Sequence, residues 1–155
     1  MFNLIMGASA EDATIAAERL FEYTEDSLAT KFREDLSQLT RMPALVMPEL
    51  QDQSRPQVAR VGHVTNVSLL GRNCHYQFVP EAGIPVIPSS AIESMAPELL
   101  IDERSWEFSR THWAVKDTDL YRTLLLHSYA HHTLAPTVFT IPATEPDPDL
   151  VSVMM

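Results

Sequence analysis

Apolar residues recur with an approximately helical spacing in the first quarter of the chain, at Ile15, Phe21, Leu28, Phe32, Leu36 and Leu39. This spacing places them on one face of a helix, so it predicts helical structure over about residues 10–39. Ser9 has the side chain of a helix N-cap, and the acids that follow it favour the positive end of a helix dipole. A second cap at Thr24 leaves open whether the segment is one kinked helix or two shorter ones.

The clearest β pattern lies in the middle of the chain. Residues 57–70 are rich in Val and Thr, and residues 73–79 end in aromatic and β-branched side chains. Between them stands Gly71, which tolerates the positive φ of a tight turn. The pattern therefore predicts a β-hairpin over about 57–79. Gly62, inside the first strand, indicates a bulge or a close approach of another backbone segment.

A third strand and a further helix are predicted after the hairpin. Apolar side chains that include Trp113 favour a strand over about 106–116, and Asp117 or Thr118 can cap a helix over about 118–133. Four prolines then follow, at Pro136, Pro142, Pro146 and Pro148. Because proline breaks a helix interior, the tail is predicted to be extended.

These elements together predict an α+β fold. It has N-terminal helices, a small antiparallel sheet made of the 57–79 hairpin and the 106–116 strand, a C-terminal helix and an extended tail. The chain has 155 residues, which suits one domain of ordinary size. We expect a single domain over 1–142 and a loose, acidic and proline-rich tail over 143–155.

The chain begins with a short apolar run from Met1 to Met6. The run lacks the basic residues and the length of a signal peptide, and no segment reaches the ~20 apolar residues that span a bilayer. One alternative is a start at Met6, with the preceding residues as an upstream extension. Since Cys74 is the only cysteine, no disulfide forms within the chain. We therefore expect a cytoplasmic location and no membrane.

Charge argues against nucleic acid as a partner. The formal net charge is -10, whereas affinity for nucleic acid depends largely on lysine and arginine at the phosphates. Residues 54–80 form a local exception, because they contain Arg55, Arg60 and Arg72 and no acid. We expect this basic segment to dock on acidic parts of the same chain, with Arg60 and Arg72 as candidate binding residues.

The densest polar cluster lies where the third strand meets the helix after it. On a strand, Arg110, His112 and Lys116 share one face, and Asp117 follows at the junction. Three cations on one face could bind an anion such as a phosphate, assisted by the N-terminus of the next helix. The competing interpretation is that these cations pair with acids of the chain and that Asp117 caps the helix.

Metal and thiol chemistry receive less support. His127 and His131 are four apart, so on a helix they could bind one metal ion, but Ser128 replaces the glutamate of the zincin motif. Cys74 and His75 are adjacent, so on a strand they face opposite sides and do not form a nucleophile–base pair. Cys74 is predicted to pack in the core as an inert thiol.

No catalytic fingerprint occurs, which favours a non-catalytic protein and leaves open whether the chain is an enzyme. The first hypothesis is a non-catalytic protein-interaction or accessory domain of an intracellular complex, with a protein partner or self-association. The alternative is an enzyme or sensor that binds an anionic small molecule at Arg110, His112 and Lys116. The second alternative is a metal-dependent hydrolase or nuclease that uses His127 and His131. No cofactor is predicted, apart from a divalent metal in that last case.

Overall fold

The structure is a computed structural model that describes residues 1–129. Its strands are β1 (Phe2–Met6), β2 (Thr14–Ala16), β3 (Pro43–Met47), β4 (Val58–Leu70), β5 (Asn73–Pro80), β6 (Ile87–Pro88) and β7 (His112–Lys116). Its α-helices are α1 (Asp26–Glu34), α2 (Ser89–Ser94) and α3 (Leu120–Leu126). Short 3-10 helices cover Ala17–Arg19, Leu36–Arg41, Glu103–Ser105 and Glu107–Ser109.

The chain divides into two compact units, Met1–Leu120 and Tyr121–Met155. All seven strands lie in the first unit, and most of α3 lies in the second. The predicted boundary between a domain ending at 142 and a loose tail from 143 lies outside the described residues, so it stays a prediction. No helix in the described part of the chain is long and apolar enough to cross a membrane.

The strands form a mixed sheet in the order β2-β5-β4-β3-β1-β7, with β6 paired to the start of β4. Strand β1 runs parallel to β3 and antiparallel to β7, so Leu4 lies between Leu45 and Ala114. The prediction of a small antiparallel sheet with N-terminal helices is therefore wrong. The sheet has seven strands, and two of its central strands are parallel.

The N-terminal run, for which the sequence predicts no secondary structure, is part of the sheet. Phe2–Met6 is strand β1, and all five of its residues are buried. A strand buried on both faces is a nearly continuous apolar run, so it lacks the alternation by which a half-buried strand is recognised. Such a run cannot be assigned from periodicity, and Phe2–Met6 is an interior strand of the sheet.

The predicted helix over about 10–39 is also wrong in most of its length. Ile15 belongs to β2 and pairs with Cys74, whereas the only α-helix in this region is the nine-residue α1. Ser9 does not cap a helix; its backbone N–H donates to the Asp12 carboxylate in a loop, at 2.8 Å. Four of the six apolar residues are buried and Leu28 and Leu36 are partly buried, but they reach the core from a strand, a loop and two helices.

The hairpin prediction is confirmed. Strands β4 and β5 pair antiparallel across the turn that contains Gly71, whose φ is +63°. Gly62 marks a close backbone approach, since an added Cβ would lie 2.1 Å from the carbonyl oxygen of Val79. The register shifts between Thr65 and Ser68, so the irregularity in β4 lies a few residues after Gly62.

The third predicted strand is shorter than expected. Strand β7 covers only His112–Lys116, and residues 103–109 form two 3-10 helices joined at Trp106, which has φ +66°. The apolar side chains that predict a longer strand include Phe108 and Trp113. Both are buried, but Phe108 reaches the core from a 3-10 helix. The predicted helix over about 118–133 corresponds to α3, which ends at Leu126, and residues from 130 lie outside the described part.

A buried hydrogen bond joins β1 to β7 inside the core. The Trp113 indole Nε1 donates to Asn3 Oδ1 at 3.0 Å, and the Asn3 amide donates to the Leu39 carbonyl at 2.9 Å. The Tyr76 ring meets the Trp113 ring edge to face at 5.2 Å. Both polar groups of the Asn3 side chain are therefore bonded, so it joins β1 to β7 and to the Leu39 carbonyl without an unsatisfied buried atom.

Candidate functional site

Strand β7 divides its side chains between two environments, as the alternation predicted. Trp113 and Val115 enter the hydrophobic core, whereas His112 and Lys116 reach the same carboxylate on the other face. The outer edge of β7 is covered, because the Phe21 N–H donates to the Trp113 carbonyl at 2.6 Å. Strand β7 is therefore hydrogen bonded on both edges and supports the side chains of His112 and Lys116.

That carboxylate belongs to Glu107, which is fully buried. His112 Nε2 lies 2.8 Å from Glu107 Oε2, and Lys116 Nζ lies 2.9 Å from the same carboxylate. His112 Nδ1 lies 2.6 Å from the Arg110 carbonyl oxygen, which only accepts, so Nδ1 carries a proton. A buried charge is tolerated only when it is paired and hydrogen bonded, and this network meets both conditions.

Glu107 also closes the loop that precedes β7. The Asp102 N–H donates to Glu107 Oε1 at 2.7 Å, and the Glu107 N–H donates to the Asp102 carbonyl at 3.2 Å. The Asp102 side chain in turn accepts from the Ser105 N–H at 3.2 Å. Residues 102–107 are therefore a closed loop, fastened to β7 by the buried carboxylate.

Tyr23 fastens the same loop from the other side. Its hydroxyl donates to the Ser105 carbonyl at 2.6 Å, and its own carbonyl accepts from Lys116 Nζ at 3.0 Å. Its ring centroid lies 4.8 Å from that of His112. Burial raises the pKa of the Tyr23 phenol above its usual value, so the hydroxyl remains a donor at neutral pH.

Arg110 is paired elsewhere. Its Nε and one terminal nitrogen donate to the two oxygens of Glu22 at 2.9 and 3.1 Å, which is a bidentate pair. The hydrogen bond that Arg110 donates to Glu22 raises the pKa of Arg110. Burial alone would raise the pKa of Glu22, but the hydrogen bond and charge of Arg110 bring it below its usual value. The three predicted cations, Arg110, His112 and Lys116, thus each lie beside a carboxylate of this chain.

Two large apolar side chains are exposed, one within this loop and one just before it. Trp106 is 74% exposed and Leu100 is 50% exposed. Both have left-handed backbone conformations, with φ of +66° and +61°. This conformation costs a residue other than glycine or asparagine roughly 1–2 kcal/mol. At Trp106 this conformation turns the chain so that the next residue, Glu107, enters the buried network, and strained positions of this kind are often found at functional sites.

A groove of about 170 Å³ lies beside Leu100. It is lined by Tyr23, Glu25, Leu28, Leu100, Val115, Lys116 and Asp117, and we call it the acidic groove. Lys116 contributes no free charge to it, since Nζ is bound by Glu107 and the Tyr23 carbonyl. Glu25 and Asp117 are exposed acids, so the groove combines an apolar wall with negative charge.

The other predicted residues differ in location and in exposure. Asp117 lines the acidic groove, but Arg72 is exposed at the hairpin turn and Arg60 is half-buried on β4. His127 is exposed after α3, and His131 lies outside the described residues. Within the described residues, no group of three potential metal ligands occurs. The proposals of an anion at β7 and of a metal at the histidines stay predictions.

Cys74 packs in the core, as predicted. It lies among buried residues that include Tyr76 and Phe78, and burial raises the pKa of its thiol to about 11. A thiol that stays protonated is a poor nucleophile.

Sequence reasoning missed the residues that define the surface, namely Glu107, Trp106 and Leu100. One signal was present: Glu107 is a lone charge between Trp106 and Phe108, in a segment predicted to be a half-buried strand. A charge inside an apolar run calls for a buried partner, and Lys116 was available nine residues later. The positive φ values had no signal, because the sequence has neither glycine nor asparagine at those positions.

No protein-family model, curated protein or solved structure gives a significant match to the chain.

Proposed function

We propose that this protein is a non-catalytic interaction domain that binds a basic, partly apolar segment of another protein. The observation that carries the proposal is Trp106, a large side chain held in a strained, exposed position by a loop fastened to a buried carboxylate. Tryptophan is among the residues that contribute most to binding when covered by a partner. A rigid loop also reduces the entropy lost when the partner docks.

Charge supports the choice of a basic partner. Residues 97–106 carry three acids, Glu98, Asp102 and Glu103, and a single base, Arg104. The acidic groove adds Glu25 and Asp117, and the whole chain is acidic at -10. Such a surface attracts cationic partners and repels acidic ones, which raises the association rate and excludes wrong partners.

The acidic groove has the shape and chemistry for one long cationic side chain. An aliphatic stem of lysine or arginine would contact Leu28 and Leu100, while its charged head would lie near Glu25 or Asp117. An apolar residue beside that cation would cover Trp106. The expected recognition element is therefore a lysine or arginine with an aliphatic or aromatic neighbour.

The test is selection of a displayed library of random linear peptides on the wild-type domain. We expect enrichment of peptides that carry lysine or arginine beside an apolar residue, with binding lost in Trp106→Asn and reduced in Glu25→Gln. Asparagine accepts the left-handed conformation, so Trp106→Asn removes the side chain and keeps the loop. Leu70→Asn, at an exposed leucine of the hairpin, is the matched control and should bind as wild type does.

Two results would overturn the proposal. One is enrichment of peptides that bind Trp106→Asn as tightly as the wild type. The other is a wild-type protein that sediments as a dimer while Trp106→Asn sediments as a monomer, because a second copy of the chain would then cover this surface.

A further inference from the structure

We propose a second site, in which Arg60 binds the carboxylate of a small organic acid with an apolar chain. The site is a cleft of about 260 Å³ in the first unit, which we call the Arg60 cleft. It is formed by the loop after β1, the end of β3 and the start of β4, so it lies beyond the carboxyl ends of the two parallel strands. Ligand sites in sheets with parallel strands form at such ends.

Arg60 is the group that points to a ligand. Its Nε is buried, and its guanidinium has no hydrogen-bond or ion-pair partner among the described residues. Arg55, the other arginine of the cleft, is held by Asp12 at 2.8 Å and by Asp52 at 3.6 Å. A half-buried guanidinium without a carboxylate is unusual in a chain this acidic, and a ligand carboxylate would supply the missing acceptor.

The walls of the cleft determine the class of acid. Val46, Val58 and Val86 line it, together with Pro48 and Pro56. These side chains offer no hydrogen bonds, and near Arg60 the cleft has neither a glycine-rich loop nor the N-terminus of a long helix for phosphate. An aliphatic monocarboxylate matches the single free cation and the apolar wall, whereas inorganic phosphate would leave the wall unused.

Glu11 also lines the cleft, and its charge opposes a bound carboxylate. Substitutions of Arg60 and Glu11 are therefore expected to change the affinity for the acid in opposite directions. Arg60→Gln should weaken binding of the acid by at least about tenfold, because a charge-assisted hydrogen bond is lost. Glu11→Gln should tighten binding, since a repulsive charge is removed. Arg72→Gln, at an exposed arginine of the hairpin turn, is the matched control and should leave binding unchanged.

In the experiment, acetate, butanoate, hexanoate and inorganic phosphate are each titrated into the full chain. Binding is monitored by calorimetry and by the NMR resonance of the Arg60 Nε–H. We expect saturable binding of hexanoate, a shift of that resonance, and affinity that rises about fourfold for each added methylene until the walls are filled. The resonance in the wild-type protein keeps the test decisive even if Arg60→Gln fails to fold.

Three results would overturn the inference. They are a wild-type Arg60 resonance that does not move with any carboxylate, binding of hexanoate that survives Arg60→Gln unchanged, and phosphate or acetate that binds as tightly as hexanoate. None of the variants touches Trp106 or the acidic groove, so failure here is separate from failure of the proposed interaction surface.

Discussion

Trp106 and Glu107 are neighbours in the chain with opposite environments, since the indole is 74% exposed and the carboxylate is fully buried. The positive φ of Trp106 turns the chain between the two 3-10 helices, so that Glu107 faces Lys116 and His112 while Trp106 faces solvent. The buried ion pair and the exposed side chain are therefore two results of one backbone conformation. A substitution that removes the Trp106 side chain but keeps its positive φ should therefore leave the buried ion pair of Glu107 intact.

The Glu107 carboxylate is expected to be a major contributor to stability. Glu107→Gln should lower the free energy of unfolding by about 3 kcal/mol, because Lys116 would remain buried without an opposite charge. Urea unfolding measures the change. Glu103→Gln, an exposed acid of the same loop, should change it by less than about 0.5 kcal/mol. Adding Lys116→Met to Glu107→Gln should recover part of the loss, and a fully additive double variant would contradict the pairing.

Removal of the Trp106 side chain should not destabilise the domain. The left-handed conformation at position 106 costs less for asparagine than for tryptophan. In Trp106→Asn the free energy of unfolding should therefore stay constant or rise by up to about 1 kcal/mol. Fluorescence gives an independent readout, because the remaining Trp113 is fully buried and the emission should move to shorter wavelength. A loss of more than about 1 kcal/mol would mean that Trp106 supports the fold rather than a partner.

The sequence predicted those parts of the fold whose signals are local. Strands β4 and β5 were found because alternation and Gly71 lie within one short segment. Strand β1 is not predicted from the sequence because four of the five residues in Phe2–Met6 are apolar and show no alternation, and its neighbours β3 and β7 make it a strand. Ile15 was assigned to a helix because its distance from later apolar residues suits a helix, although its partner is Cys74 on β5.

The site was partly visible in the same way. Arg110, His112 and Lys116 were identified as a cluster, and the face shared by His112 and Lys116 was correct. Their partners were not found, because Glu22 is 88 residues from Arg110 and no local pattern joins them. Long-range pairing of charges depends on the topology of the sheet, which the sequence did not provide.

Gly62 is expected to be the least replaceable glycine of the hairpin. A Cβ there would lie 2.1 Å from the Val79 carbonyl oxygen and 2.9 Å from the Pro80 Cα, which are backbone atoms of the paired strand. Gly62→Ala should therefore cost about 3 kcal/mol, measured by urea unfolding. At Gly71 a Cβ meets open space and φ is +63°, so Gly71→Asn should cost under about 1 kcal/mol. Equal losses at the two positions would contradict the close approach at Gly62.

Alkaline pH should destabilise the domain through its buried thiol. Burial raises the pKa of Cys74 to about 11 in the folded state, against about 8.5 in an unfolded chain. As pH rises, the Cys74 thiol loses its proton first in the unfolded chain. The free energy of unfolding is therefore unaffected by Cys74 below about pH 8.5 and declines as pH rises toward 11. Between pH 8 and pH 10 the decline should be roughly 1–2 kcal/mol in the wild type and smaller in Cys74→Ala.

Burial also raises the pKa of Tyr76, to about 12, so Cys74→Ala should retain a loss that begins near pH 10. Identical pH profiles for the two proteins would show that Cys74 ionises as freely in the folded state as in the unfolded chain.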